Sequence, residues 1–248
     1  MAQLFALVLP EGAVLKVVIL DDGSTDGTAT AIASEYPDAV QLQGDGSFFW
    51  CGGMRQAWLH AAMDNPDFYF LLNDDTVLEP NVIVSLIGVV ASADSRVIAV
   101  AAIRDAATGS RTYGGIRGYS SGVPMNGYQE MCDTFNANAV MIPRAVFREL
   151  GVFHEVYTHA MGDFDYGYEA SRRGIKIIQS AEWLGTCSHN PLQGGWKDRK
   201  LSRWERFQKL QSPKGLPWKE WVIYNRRNAG WIWPYRCISP FLRILLGR

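Results

Sequence analysis

Between Phe68 and Leu72 five consecutive residues are apolar, and the run breaks at once into Asn73-Asp74-Asp75. Such a run reads as a strand buried on both faces, the habit of a parallel sheet covered by helices. Carboxylates at the carboxyl end of such a strand lie where open α/β sheets bind their ligands. Two adjacent aspartates repel one another unless a positive charge joins them. A hard divalent cation bridging to phosphate oxygens supplies that charge. A solvated turn leading into a helix capped by Asp75 or Thr76 is the plainer reading.

The same pattern occurs earlier in the chain. Val14 to Leu20 is a β-branched apolar run that ends in Asp21-Asp22-Gly23-Ser24-Thr25-Asp26-Gly27-Thr28. Ser24, Thr25 and Asp26 suit the N-terminus of a helix from Thr28 to Tyr36, whereas Asp21 and Asp22 are not accounted for by capping. The spacing Asp22-x-Ser24-x-Asp26-Gly27 resembles the start of a calcium loop, but position twelve is Ala33 and not a bidentate Glu, so calcium is excluded. Ala39 to Gln43 is a third strand, and the glycines after it do not make the dinucleotide fingerprint.

A helix is expected over Met54 to Met63. This places Arg55 in its first turn, where the helix dipole disfavours a cation unless an anion such as phosphate partners it; a surface Arg is the plainer reading. Helix Pro80 to Ala91 and strand Val97 to Ile103 complete an alternation of helix and strand, hence a parallel sheet. From Arg104 to Met131, Gly, Ser, Thr and Tyr dominate, which reads as a hairpin or long loops lying over a site. Phe135 to Ile142 is a strand, and Pro143 opens a helix that Gly151 closes. Asp163 and Asp165 then start a helix, where the dipole favours both. Ile175 to Ile178 and Trp183 to His189 are further strands, the second ending at an imidazole.

The four cysteines (Cys51, Cys132, Cys187, Cys237) form no CxxC pair, which argues against zinc and a disulfide framework and for a reducing, cytoplasmic setting. No run reaches the ~18 apolar residues of a membrane span. Charge is unevenly placed. Residues 197–248 hold 13 Lys and Arg against 3 Asp and Glu, while the rest of the chain is acidic.

These residues, taken in order, resemble the family 2 glycosyltransferases of the GT-A fold, particularly bacterial rhamnosyltransferase-like members. Val18-Ile19-Leu20-Asp21-Asp22-Gly23-Ser24-Thr25-Asp26-Gly27-Thr28 resembles the family's nucleotide-binding turn, and Leu72-Asn73-Asp74-Asp75 its DxD-type metal motif. Gly162-Asp163-Phe164-Asp165-Tyr166 resembles its Glu-Asp-x-Asp segment, and His189 its downstream metal-shell histidine. The resemblance implies an α/β fold over residues 1–195, with a mostly parallel central sheet flanked by helices. It implies a dTDP- or UDP-sugar donor, Mg²⁺ or Mn²⁺ on Asp75 and His189, and Asn73 and Asp74 near the ribose or metal. Asp21 and Asp22 would meet the base or ribose, and Asp163 would be the general base. Asp165 would orient an acceptor group or an Arg. The acceptor would be a glycan or lipid-linked hydroxyl in cell-surface polysaccharide synthesis.

The sequence departs from the family in two places. Gly162 stands where the family has Glu, and the family's opening strand has no counterpart before residues 1–9. The second departure predicts an unpaired edge and half a nucleotide pocket unless something else completes the sheet, and it allows the alternative of a non-catalytic nucleotide-sugar-binding remnant. A sugar-nucleotide nucleotidyltransferase would need a Gly-rich phosphate loop that is not visible. Residues 196–248 read as a helical appendage carrying six of the nine tryptophans, with Arg226-Arg227-Asn228 resembling a segment near the family's end. Basic residues interleaved with Trp and Leu suggest peripheral association with an anionic membrane on its cytoplasmic face; helices packed on the preceding domain are the other reading. No nucleic-acid motif is present, so nucleic acid is not expected as a partner.

Overall fold

A computed structural model of the chain describes residues 1–93, 96–119, 121–189 and 193–247. The chain begins with α1 (Ala2–Phe5), β1 (Val18–Asp21), α2 (Thr28–Glu35), β2 (Val40–Gln43), α3 (Phe49–Ala62), β3 (Phe68–Leu72), β4 (Val77–Leu78), α4 (Val82–Ala93) and β5 (Val97–Arg104). Short strands β6 (Arg111–Tyr113), β7 (Gly115–Arg117), β8 (Ser121–Gly122), β9 (Glu130–Cys132) and β10 (Thr134–Phe135) occupy the stretch rich in Gly, Ser and Tyr. Then follow β11 (Ala139–Pro143), α5 (Arg144–Leu150), α6 (Gly162–Arg172), β12 (Lys176–Thr186), α7 (Arg203–Gln211), α8 (Trp218–Asn228), a 3₁₀ turn at Gly230–Ile232 and α9 (Trp233–Leu245).

The main sheet runs β3-β11-β5-β12-β4, with β6 on β5 and β9 on β12. Strand β11 is antiparallel to both β3 and β5, so β3 and β5 share a direction, and β12 is parallel to β5. The expected parallel frame is therefore present in β3, β5 and β12, but inserting β11 between β3 and β5 makes the sheet mixed. The two strands expected over Ile175 to His189 are one strand, β12, with register shifts between Gln179 and Gly185. Such irregularities bend a strand without ending it.

Side chains alternate across this sheet. Tyr69, Leu71, Ile98, Val100, Val140 and Ile142 enter a core shared with α3, α5 and α6. Phe68, Phe70, Val97, Ala99, Ala139 and Met141 face the other core, under α4 and α1. Both faces are covered, which is why β5 carries no polar residue before Arg104.

Strands β1 and β2 pair in parallel as a separate two-stranded sheet. Among the described residues β1 pairs only with β2 and β3 only with β11, so each has one open edge. Helix α3 packs against both β1 and β3 and holds the two sheets together. Residues 14–17, expected to open β1, lie outside it.

Of the C-terminal helices, α8 reaches the main core. Helix α8 packs on α6, and its Tyr224 and Trp221 join the cluster under α3 and α6. Glu220, buried, accepts hydrogen bonds from the Thr158 hydroxyl and backbone N–H.

Trp58 sits at the centre of the larger core, with its ring 5.4–5.9 Å from those of Tyr69, Phe147, Phe153 and Tyr166. Its indole N–H is buried without a partner among the described residues. Trp58→Ala is expected to destabilise the protein by about 3–5 kcal/mol. Trp58→Phe removes area but also the unsatisfied donor, and should cost less than about 2 kcal/mol in chemical denaturation.

Candidate active site

The carboxyl ends of β1 and β3 and the start of β11 lie together with the N-termini of α3 and α6. Because β11 runs antiparallel to β3, Ala139 sits opposite Leu72, and the Asn136-Ala137-Asn138 turn stands beside Asn73-Asp74-Asp75. The Asn73 N–H donates to the Asn138 carbonyl at 3.0 Å. Asn138 donates through Nδ2 to the Thr76 hydroxyl at 3.2 Å and to Cys187 Sγ at 3.8 Å. These bonds bind the end of β12 to the loop after β3.

Asp74 and Asp75 are exposed, and among the described residues neither carboxylate is ion-paired. The Cys187 thiol is pushed up to about 11 by burial, with the neighbouring Asp75 charge adding to it. His189, two residues on, is exposed and meets the Tyr113 ring edge-on at 5.3 Å. Asn190, Pro191 and Leu192 lie outside the described residues. Among the described residues no three His, Cys, Asp or Glu side chains converge as a metal cage. Two unpaired carboxylates nevertheless fit an ion of the Mg²⁺ type, which takes one or two protein carboxylates and fills its shell with phosphate and water.

Asp21 and Asp22 have structural roles that the sequence reading did not provide for. Asp22 accepts the Gly46 N–H at 2.9 Å on one oxygen and the Phe49 N–H at 2.8 Å on the other. It thereby closes the loop between β2 and α3 and caps α3, whose first residue Phe49 has a positive φ of 51°. Gly44 is required here, because a Cβ on it would stand 3.0 Å from both Asp22 Cα and the Phe48 ring. Asp21 is buried; one of its oxygens accepts the Ser24 N–H at 2.9 Å, while the other is without a partner among the described residues. An orphaned buried carboxylate oxygen at a strand end is suited to a ligand hydroxyl or amide.

Arg55 does not lie in the first turn of its helix. Helix α3 starts at Phe49 and not near Met54, so Arg55 lies in its interior. Its guanidinium donates to the Tyr157 carbonyl at 3.2 Å. The Gly52-Gly53 pair misled the reading: it resembles a turn, yet both residues are helical and buried. Trp50, which the sequence reading passed over, donates its indole N–H to the Asn73 side chain at 2.6 Å and joins α3 to the end of β3.

Helix α6 carries two buried carboxylates with different surroundings. Met161 caps the helix with a φ of 72°, which puts Gly162, Asp163 and Asp165 in the first turn. Asp163 is 9% exposed and accepts the Ala137 N–H at 3.1 Å and the Phe164 N–H at 2.9 Å. Burial pushes its carboxyl up to about 6, and the backbone donors only partly oppose this. Asp165 is 2% exposed and fully partnered. Arg227 Nε donates to its two oxygens at 2.9 and 3.1 Å, and Asn228 Nδ2 at 2.7 Å. The expectation that Asp165 meets an Arg and the notice taken of Arg226-Arg227-Asn228 thus describe one contact. Sequence alone could not join residues 62 positions apart.

Gly162 has a steric cause. A Cβ at this position would overlap the Cys51 sulfur, so a larger residue does not fit while Cys51 is opposite it. Burial pushes the Cys51 thiol far up, which leaves it a neutral packing group.

No family model matches the sequence, nor does any curated protein. Solved structures match it throughout. The mannosyltransferase PcManGT from Pyrobaculum calidifontis in complex with GDP-Man and Mn²⁺ is similar at 15% identity and a TM-score of 0.59, over 99% of this chain and 64% of that one. GalNAc-T7 with UDP, GalNAc and Mn²⁺ is similar at 13% identity and 0.56, over 96% and 51%. TarS of S. aureus is similar at 15% identity and 0.54, over 96% and 40%. The chain thus spans less than two thirds of each of these proteins. Its fold is that of the GT-A glycosyltransferases, an α/β fold with a mixed central sheet flanked by helices.

Gly162→Ala is expected to destabilise the protein by about 1–2 kcal/mol, despite the better helix propensity of Ala, because it overpacks Cys51. In the Cys51→Ala background the same change should cost less, with a favourable coupling of about 1 kcal/mol in a double-mutant cycle of denaturation midpoints.

Proposed function

We propose that the chain is an inverting glycosyltransferase that moves a sugar from a nucleotide-diphosphate donor to a hydroxyl of a glycan or lipid-linked acceptor. The observation that carries this reading is Asp163, a buried carboxylate at the strand-end face whose pKa is raised to about 6. At neutral pH it is ionised, yet more basic than an ordinary carboxylate, which suits it to take a proton from a hydroxyl. Its two backbone bonds fix it in place without neutralising it. The attacking oxygen would lose its proton to Asp163 as it displaces the nucleoside diphosphate from the anomeric carbon. A single in-line displacement assisted by one base inverts that carbon.

Asp165, clamped by Arg227 and Asn228, would hold α6 in register and keep Asp163 aimed. The free oxygen of Asp21 would accept from the donor's base or ribose, with Asn73 and Asp74 nearby. Asp22 would act by holding the loop between β2 and α3. Two similar structures contain Mn²⁺, which supports a divalent ion, Mg²⁺ or Mn²⁺, held by Asp75 with His189. When bound, such an ion neutralises charge developing on the diphosphate leaving group. The assembled carboxylates favour this reading over a non-catalytic sugar-nucleotide binder, in which Asp163 would have no reason to be isolated from a countercharge.

The test is calorimetric titration of UDP, dTDP and GDP with and without Mn²⁺, followed by a donor and acceptor screen. Asp75→Ala is expected to lose metal-dependent nucleotide binding. Asp163→Asn should keep it and lower kcat by about 10²–10⁴-fold. No nucleotide binding by the folded wild type, or an undiminished rate in Asp163→Asn, would sink the proposal.

The pH dependence follows from the same carboxyl. The kcat/KM profile should fall below about pH 6 as Asp163 takes up its proton. The folded pKa lies above the ordinary value of 3.8, so between the two the folded state binds more protons than the unfolded. The group's stabilising contribution is therefore full below pH 3.8 and is lost as pH rises through about 6, a change of about 3 kcal/mol. Asp163→Asn should flatten that part of a pH series of denaturation midpoints.

A further inference from the structure

Helix α9 is apolar on two sides. Cys237, Pro240 and Ile244 are buried on the side facing the rest of the protein. On the opposite side Tyr235, Ile238, Leu242 and Leu245 follow one another at steps of three, four and three residues, which is one face of a helix, and Trp231 of the preceding 3₁₀ turn adds a fifth apolar residue. All five are exposed, Trp231 at 92% and Leu245 at 61%. The stripe continues onto α7 and α8. A groove of about 450 Å³ lined by Phe207, Gln211, Trp218, Ile238 and Phe241 opens beside it, and Trp204, 68% exposed, stacks on Phe207 at its rim. Soluble monomers seldom expose a continuous apolar surface of this kind without a use for it.

The charge around the stripe identifies what covers it. Arg203, Lys209, Lys219, Arg226 and Arg243 are exposed on these helices. The carboxylates of the same segment are all engaged locally. Asp198 accepts backbone N–H groups of Gly194 and Lys200, Glu205 closes the capping box with Ser202, and Glu220 is buried against Thr158. With 13 Lys and Arg against 3 Asp and Glu over residues 197–248, the outward field is positive. A second copy would bring the same excess of cations against itself, which opposes pairing of this face with its own kind. An anionic lipid surface offers acyl chains to the stripe, headgroup phosphates to Lys and Arg, and an interface in which Trp and Tyr are preferred.

We propose that α9, with the aromatic rim of α7 and α8, is a membrane-docking face that lies in the plane of an anionic bilayer. No helix among the described residues is long and apolar enough to cross a membrane, so docking would be interfacial. The face is structurally linked to the candidate site: α8 packs against both α9 and α6, and ends in the Arg227 and Asn228 that hold Asp165. This inference does not depend on the sugar-transfer reading, because it is tested by binding alone.

The experiment is flotation of the full chain with phosphatidylcholine vesicles, with and without phosphatidylglycerol, at low and high salt. Wild type is expected to float with the phosphatidylglycerol vesicles at low salt and to be released by high salt. Ile238→Glu/Leu242→Glu and, separately, Lys219→Glu/Arg243→Glu should each weaken binding by about tenfold or more. All four residues are exposed, and an unchanged circular dichroism melt would show that the variants remain folded. Wild type that stays with the unbound fraction would overturn the proposal, as would an apolar-stripe variant that floats as well as wild type. Light scattering supplies a third check: a dimer that Ile238→Glu/Leu242→Glu turns into a monomer would assign the stripe to a second copy and overturn it too.

Discussion

Asp165 is almost wholly removed from water, and a carboxylate so placed must find partners or give up its charge. It finds them in Arg227 and Asn228, at the end of a helix 62 residues further on. That requirement fastens the C-terminal helices to α6, and α6 is the helix that carries Asp163. The Arg227 Nε–H, shared between both oxygens of Asp165 at 2.9 and 3.1 Å, also restricts rotation of α6. Glu169 extends the contact, with its carboxylate 3.5 Å from the Arg227 guanidinium.

The two carboxylates of α6 differ by what surrounds them and not by what they are. Asp165 has a cation and an amide. Asp163, two residues earlier, has among the described residues two backbone N–H groups and no countercharge, and burial raises its pKa. The site also depends on backbone that is not part of any motif. The turn before β11 provides the Ala137 N–H for Asp163 and the Asn138 contacts that join β3, β12 and the Asp75 loop.

The sheet explains both the placement of the site and its open side. Strand β11 reverses direction between β3 and β5, and this brings its N-terminal turn to the same end as the carboxyl ends of its neighbours. On the other flank β1 and β2 form a sheet of their own, and α3 is the element that packs on both parts. Trp50, at the start of α3, and Asp22, whose carboxylate accepts the Phe49 N–H there, therefore position the Asn73 loop and the loop after β2 relative to each other.

Local chemistry made much of this legible. Apolar runs that end in acidic residues located β1 and β3 and the face on which the site lies. Pro143 and Gly151 bounded α5, and the paired aspartates opened α6. These features depend on residues within a few positions of each other, and propensity, capping and strand burial act over that range. Arg55 was misplaced because Gly52-Gly53 has a turn's composition. Packing decides that these glycines are helical: Gly52 lies against the Phe48 side chain, and a Cβ on Gly53 would meet Leu20 at 3.3 Å. The antiparallel insertion of β11, the engagement of Asp22 by the backbone of another loop, the partnering of Asp165 by Arg227 and the exposure of one face of α9 were decided by tertiary structure alone. Each joins groups far apart in the chain through burial and hydrogen-bond satisfaction, which are properties of the folded environment and have no local sequence signature.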